Sequence, residues 1–341
     1  MAPTFSAWFA TKKGPPSVGF QLKTGLPIPD TLPKDHVLVK VQAIALNPYI
    51  YKMNIGLPNF VAKRPHVIER DMAGIVVNPN GTEFVAGDLV FGSNAGAMSE
   101  YMVIPSRSLV LQPPNVTPLE AAGLAIVTLT ANQALKDLQV KAGQTVFING
   151  GSSAVGLSAI QIAKSLGCNV VATASARNKD VLLNLGVDEF IDYTRAPLVE
   201  QLAKRDSPPF DAVFDAVGLK DPALYLNCPS YLAPRGMYVS AGGFPGSRKD
   251  LAGVLRQVFS GKLLPTWLGG VPRKFGFVTC PSAKKDFEEV RTLVAEGAVK
   301  PIVDSVHSFD RAGVMAAYDK LMTNRAVGKV VIKIEDSTDK A

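Results

Sequence analysis

Cysteine is scarce in this chain. There are three, Cys168, Cys228 and Cys280, widely spaced and odd in number. That pattern excludes a disulfide framework and a C-x-x-C zinc site, and ordinary buried or half-buried thiols are expected. No apolar run approaches the roughly 18–20 residues that a membrane span needs. Residues 1–20 lack the charged-then-apolar order of a secretory signal, so a soluble, cytoplasmic protein is expected. Clustered charge is missing too. The net charge is +7, yet Lys and Arg are scattered and no basic stripe alternates with aromatics, which argues against a nucleic-acid partner. A diffuse positive field still favours anionic ligands such as phosphorylated cofactors. Internal repeats are absent.

What is present is enough for two domains: 341 residues, 47% of them hydrophobic, supply a real core. One stretch organises the rest. Thr145-Val-Phe-Ile-Asn149 is a short β-branched apolar run and reads as a buried strand. A turn of small residues follows, Gly150 to Gly156, and then Val155, Ala159, Ile162, Ala163 and Leu166 recur at helical spacing before Gly167. Such a turn lets backbone N–H groups at a helix N-terminus approach a pyrophosphate, which makes Gly151, Ser152, Ser153, Ala154 and Val155 candidate cofactor contacts. The strict G-x-G-x-x-G spacing is not there, and the turn alone is equally compatible with plain strand–helix packing. A second strand, Asn169-Val-Val-Ala-Thr173, arrives where a βαβ unit of about thirty residues requires it.

Before this unit the chain is β-rich and turn-punctuated. Strands are expected at His36–Val41, Gly74–Val77, Leu89–Phe91 and Met98–Val103, with Asn47-Pro48 a turn or boundary and no convincing helix before residue 118. His36 and His66 read as surface or structural residues. Thr117-Pro-Leu-Glu120 is a capping box, and Ala121 to Leu138 reads as one helix. After the first unit, helices at Lys179–Leu185, Leu198–Ala203 and Pro222–Cys228 alternate with strands at Glu189–Asp192, Phe210–Asp215 and Gly236–Ser240. That alternation implies a doubly wound parallel α/β sheet. Tyr238–Ser240 reads as an edge strand, free to pair in a homodimer or be covered in a monomer. The 244–277 segment is irregular, with a helix near Asp250–Phe259. Amphipathic helices at Lys284–Glu296 and 310–322 and a strand at Gly328–Ile334 close the chain.

The ribose end of the cofactor is also addressed by the sequence. NAD enzymes carry an acid about twenty residues past the glycine turn. Here the second strand ends Thr173-Ala-Ser-Ala-Arg177, with no acid before Asp180. Ser175 and Arg177 can donate to a 2′-phosphate, and Lys179 adds charge, so NADPH is the expected cofactor; the alternative is that these residues only cap the helix at Lys179.

The combined pattern resembles the medium-chain dehydrogenase/reductase superfamily, in its zinc-free branch of quinone-oxidoreductase-like and enoyl-reductase proteins. The resemblance is carried by Val39-Lys-Val-Gln-Ala-Ile-Ala-Leu-Asn-Pro48, Asp71-Met-Ala-Gly74, Ala86-Gly-Asp-Leu-Val-Phe-Gly92, Glu120-Ala-Ala-Gly-Leu124 with Leu129-Thr-Ala131, the Gly150–Gly156 turn, Asp211–Gly218 and Gly328-Lys-Val-Val-Ile332. Ala172-Thr-Ala-Ser-Ala-Arg-Asn178 is most similar to fungal members, including trans-acting enoyl reductases that serve polyketide synthases. The resemblance implies a Rossmann domain, 127–270, inserted in a β-rich GroES-like catalytic domain formed by 1–126 and 271–341. It implies a cofactor held between the two, and it adds Asn47, Thr130, Asn178, Tyr193, Val217, Gly242 and Lys329 to the cofactor contacts. Zinc relatives place Gly-His-Glu where this chain has Glu69-Arg-Asp71. Arginine offers a metal no lone pair, so no metal is expected.

Together these features point to an NADPH-dependent reductase of C=C bonds conjugated to a carbonyl. The substrate class is a small enone, an enoyl thioester (free or carried by a partner protein) or a quinone. Reduction without metal needs a hydrogen-bond donor at the carbonyl oxygen and later a proton. Asn47-Pro-Tyr-Ile-Tyr-Lys52 offers Tyr49, Tyr51 and Lys52, with Lys52 at a position where fungal relatives carry a lysine. The alternatives are a quinone oxidoreductase, a solvated lysine beside two core aromatics, and a non-catalytic dinucleotide-binding partner protein.

Overall fold

The computed structural model describes residues 3–218, 222–242, 248–279 and 283–335. The chain divides into two units: residues up to Leu129 with Pro281–Gly297 and Pro301 onward, and Thr130–Cys280 with Ala298–Lys300.

In the first unit, alternation of apolar and polar residues makes His36–Ala45 the central strand. A seven-stranded sheet runs in the order Val303–Ser308, Lys329–Lys333, His36–Ala45, Asp71–Asn78, Leu89–Ser93, Leu109–Leu111, with Tyr101–Pro105 also paired to His36–Ala45. A three-stranded sheet of Phe20–Pro27, Thr4–Ala10 and His66–Val67 lies in the same unit. The core gathers Trp8, Phe20, Ile44, Leu46 and Tyr318, with Phe20 and Tyr318 edge to face at 5.1 Å. Each such side chain gives roughly 1.5–3 kcal/mol on burial.

Register places the residues that matter. The strands pair Val331 with Ala45 and Ala45 with Asp71, both antiparallel. Two residues further on, the same count sets Asn47 level with Lys329 on one side and Glu69 on the other.

The expectation of no helix before residue 118 fails at Pro48–Gly56. Pro48 at the first helical position and Asn47 before it are start signals, which an Asn-Pro turn or boundary shares. The helix expected over Ala121–Leu138 is two, Pro118–Ala122 and Ala125–Leu138, because the chain ends a turn at Gly123. The capping box itself forms, Thr117 exchanging hydrogen bonds with Glu120.

The second unit is a six-stranded parallel sheet in the order Glu189–Asp192, Asn169–Ala174, Thr145–Asn149, Phe210–Asp215, Leu232–Ser240, Lys274–Phe277. Thr145–Asn149 is buried along nearly its whole length, as a central parallel strand must be. Strand order reverses there, with Asn169–Ala174 on one side and Phe210–Asp215 on the other. Open α/β sheets bind ligands at such a switch point. Phe147 stacks on Phe210 at 5.0 Å beneath the sheet. Tyr238–Ser240 is not the edge. Lys274–Phe277, hidden in a segment rich in Gly and Pro, pairs with it in parallel. Cys168 and Cys228 are buried free thiols, with burial pushing Cys228 up to about 12. Cys280 lies outside the described residues. Among the described residues no helix is long and apolar enough to cross a membrane.

Candidate functional site

In the second unit the small-residue turn closes tightly. Gly150 takes φ 78°, and a Cβ there would sit 2.3 Å from Val217 Cγ2. A Cβ on Gly156 would lie 2.2 Å from the Gly150 carbonyl oxygen, so both positions demand glycine although the familiar spacing is absent. Ser153 caps the helix Ala154–Ser165, its Oγ accepting from Gly156 N–H at 3.0 Å. The first amides of that helix have no carbonyl one turn back, which suits the Ala154 and Val155 N–H groups to meeting an anion.

Beneath the turn a buried polar chain crosses the strand ends. Thr173 Oγ1 accepts from Gly150 N–H at 2.8 Å and donates to Asn149 Oδ1 at 2.9 Å. Asn149 Nδ2 donates to Asp215 Oδ1 at 2.9 Å. Asp215 Oδ2 accepts from Tyr238 at 3.3 Å and Ser240 at 3.4 Å. Asp215 also accepts from Val217 N–H at 3.2 Å, and Ser240 Oγ accepts from Gly242 N–H at 3.2 Å. Burial first, then the neighbouring Asp215, pushes the Tyr238 hydroxyl well above its ordinary range, so it stays a donor. The structure thus ties the sequence-predicted Val217 and Gly242 to the turn through Asp215, Asn149, Thr173 and Ser240, which the sequence reading placed in strands but not in the site.

Ser175 follows the strand Asn169–Ala174, and the Ala174–Asp192 pairing puts it level with Tyr193. Ser175 is half-buried, Arg177 and Tyr193 are exposed, and Asn178 is buried. The carboxylate next to them, Asp192, is engaged by the Thr194 hydroxyl at 2.7 Å and its N–H at 2.9 Å. Those bonds hold Asp192 below its ordinary range. Ser152 is half-buried, Gly151 is buried at the turn, and Thr130 is buried in the helix Ala125–Leu138.

In the first unit the helix Pro48–Gly56 sorts the three predicted donors. Tyr49 and Lys52, three residues apart, share a side and are half-buried. Tyr51 points into the core, 7% exposed, and burial raises its hydroxyl's pKa. Just before the helix lies a second buried network. Lys329 Nζ donates to Leu46 O at 2.9 Å, Asn47 Oδ1 at 2.9 Å and Asp71 Oδ2 at 3.3 Å, which uses all three ammonium donors. Asn47 Nδ2 donates to Asp71 Oδ2 at 3.1 Å. Asp71 Oδ1 is buried without a partner. Asn47 and Lys329, named above for cofactor contact, therefore have their side chains committed to each other and to Asp71.

Glu69 completes this network and was missed by sequence reasoning. Its backbone sits at φ 60°, where a non-glycine residue costs roughly 1–2 kcal/mol, and it is 1% exposed. Its Oε1 accepts from Tyr318 at 2.6 Å, and its Oε2 from Asn47 N–H at 3.1 Å. Burial outweighs Tyr318 and Lys329, and the carboxyl is pushed up to about 8. Counting register from Ala45 would have found it, since it pairs level with Asn47. Arg70, at the histidine position of the zinc relatives, is half-buried. Among the described residues no three His, Cys, Asp or Glu side chains cluster as a metal site.

Known proteins resemble this chain over nearly its whole length. The family model of the alcohol dehydrogenase GroES-like domain matches residues 33–115, and that of the zinc-binding dehydrogenases matches residues 185–332. The chain is 36% identical to the trans-enoyl reductase pgmF of Aspergillus terreus, over 98% of this chain and 97% of that protein. The chain belongs to the medium-chain dehydrogenase/reductase superfamily. A chloroplastic NADPH-dependent alkenal/one oxidoreductase of Arabidopsis thaliana is 29% identical, over 96% of this chain and 78% of that protein. The quinone oxidoreductase of Coxiella burnetii superposes with a TM-score of 0.80 at 27% identity, covering 98% and 100% of the two chains. As a superfamily member the protein is an oxidoreductase of reductase type, and its dinucleotide-binding fold takes a nicotinamide cofactor.

Proposed function

We propose that this protein reduces a C=C bond conjugated to a carbonyl, using NADPH and no metal. The observation that carries the reading is the fate of Glu69 and Asp71. Both oxygens of Glu69 and one of Asp71 are engaged by Asn47, Tyr318 and Lys329, and Arg70, which offers a metal no lone pair, stands between the two residues. Charge developing on a substrate oxygen must then be met by side-chain donors, and Lys52 and Tyr49 share one half-buried side of a helix fixed at its start.

The residues of the dinucleotide unit fit the cofactor: a turn that admits no Cβ at Gly150 or Gly156, the amides of Ala154 and Val155 for the pyrophosphate, and Ser175, Arg177, Asn178 and Tyr193 around a 2′-phosphate. Ser175 rather than an acid follows the strand Asn169–Ala174, where the usual partner of a free ribose 2′-hydroxyl stands, and Asp192 at the end of the neighbouring strand is already engaged by Thr194. When bound, the cofactor supplies the hydride. Lys52 as an ammonium, or Tyr49 as a hydroxyl, holds a proton toward the substrate oxygen, while the buried Tyr51 packs the helix that carries them.

The names of the relatives support an enoyl or enone acceptor. The second reading, a quinone acceptor, is favoured by the Coxiella structure. NADPH oxidation followed against quinones, small enones and enoyl thioesters, free and carrier-bound, separates the two. Turnover with an enone or enoyl thioester in chelator-treated protein, and NADPH bound at least tenfold tighter than NADH, are expected. Stoichiometric zinc in active protein or equal dissociation constants would overturn the reading, and no turnover with any acceptor would return it to an idle binding protein.

A further inference from the structure

Glu69 stands where the zinc relatives carry glycine, the residue that takes a left-handed backbone without cost. Here a glutamate holds φ 60° while buried to 1% exposure. A strained, desolvated carboxylate persists only where the surroundings fix it, and such residues cluster at working sites. Its partners show what it holds. Oε2 takes the backbone N–H of Asn47 at 3.1 Å and Asn47 Nδ2 at 3.4 Å, and Oε1 takes the Tyr318 hydroxyl at 2.6 Å. Asn47 is the residue at which the helix Pro48–Gly56 begins, and its own side chain does not cap that helix. The carboxylate on the neighbouring strand end takes over the task of fixing the helix start.

We propose that Glu69 is a positioning residue: its carboxylate clamps the Asn47 amide and so fixes the helix that presents Lys52 and Tyr49. The consequence for turnover rests on the reductase reading, whereas the clamp itself is a property of the fold.

The charged and titratable groups facing Glu69 are Tyr318 from the helix Arg311–Met322, Lys329 from its strand and Asp71 from its strand, with Tyr49 acting on Tyr318. Three donors converge on the carboxylate, so the ionised form accepts all of them. Once protonated, the carboxyl must itself donate, so Tyr318 reverses to accept or a donor is displaced, and the neutral group is the weaker acceptor for Asn47. With the group pushed up to about 8, the clamp tightens as pH rises through that value.

The test uses the full-length protein and two variants, Glu69→Gln and Tyr318→Phe, the latter keeping the carboxylate should the former fail to fold. Amide hydrogen exchange, corrected for intrinsic rates, reads the clamp without any turnover. In Glu69→Gln exchange over residues 47–53 should rise at least tenfold while Thr145–Ser165 is unchanged, and in Tyr318→Phe, which frees Oε1 and leaves Oε2 on Asn47, it should rise by a smaller factor. With an enone acceptor, kcat should fall about tenfold with NADPH affinity unaltered. The inflection near pH 8 in the wild-type kcat profile should vanish in Glu69→Gln. Unchanged protection over 47–53 in the variants that fold, or an inflection that survives in Glu69→Gln, would overturn the proposal. A loss of protection in a protein that reduces no acceptor at all would sink the reductase reading and sustain the clamp.

Discussion

Each unit buries a polar network around an asparagine at a strand end, and the two networks are built from different chemistry. Around Asn149 the partners are the Thr173 hydroxyl and the single carboxylate of Asp215, which also accepts from the neutral hydroxyls of Tyr238 and Ser240. Around Asn47 they are Glu69, Asp71 and Lys329, two carboxylates and one ammonium, all nearly excluded from water. The first arrangement is satisfied by geometry and sets backbone positions at the turn. The second depends on a charge balance that burial makes costly, and it leaves Asp71 Oδ1 without a partner. The lesson is that one chain uses hydroxyls where a rigid cradle is needed and charges where a response to protons is tolerated.

Removing the counter-charge is the hardest blow to that contrast. Lys329→Met strands Asp71 and Asn47 Oδ1 in the interior and should cost about 3–5 kcal/mol, read by urea denaturation. A loss below about 1 kcal/mol would show that the charged network is no more fragile than the neutral one. A proton balance gives the next effect. Glu69 moves from an ordinary 4.5 to about 8 on folding, so the folded state holds its proton more tightly. Its contribution is complete below pH 4.5 and disappears as pH rises to about 8, a swing of a few kcal/mol. Melting temperature should therefore fall more steeply from pH 5 to 9 in the wild type than in Glu69→Gln; parallel slopes would deny the difference between the networks.

Lys52→Met asks what the charged network is for. It should lose about 2–4 kcal/mol of transition-state stabilisation, roughly 10²–10³ in kcat, with NADPH affinity unchanged by titration calorimetry. If kcat holds and Tyr49→Phe is slow instead, the donor is the tyrosine. Asp215→Asn probes the neutral side, because the new amide N–H faces hydroxyl donors. The expected cost is about 1–3 kcal/mol in denaturation, with weaker NADPH binding as the turn loosens. An Asp215→Asn protein with wild-type NADPH affinity would detach that network from the turn. Arg177→Ala is the mildest: about tenfold, or 1.4 kcal/mol, in NADPH affinity with NADH unaffected. Equal losses for both nucleotides would assign Arg177 to something other than the 2′-phosphate.

The parallel sheet was legible because each of its first five strands is a short apolar run bounded by turn residues, and Glu189–Asp192 appears where the pattern puts it. Lys274–Phe277 escaped because Gly276 breaks its alternation and its neighbours are Pro and Arg. The helix Pro48–Gly56 escaped because Asn-Pro serves both turns and helix starts, and local pattern cannot choose between them. The turn at Gly150–Gly156 was found through its context, since backbone closeness is written in glycine. The charged network was not, because Glu69, Tyr318 and Lys329 meet only through register and long-range packing, which no local window contains.

That long-range meeting has a consequence during synthesis. The dinucleotide unit is complete in sequence by Lys300, whereas Asn47, Glu69 and Asp71 wait for an ammonium at position 329 and a hydroxyl at 318. On the ribosome, the early β-rich segment therefore exists for a time with two acidic groups and no basic partner to close over them. It must stay open, or hold those acids protonated, until the final strand slides in beside His36–Ala45. A message truncated just short of codon 329 would yield a product whose dinucleotide unit is intact in sequence and whose Asn47 and Asp71 have lost their ammonium.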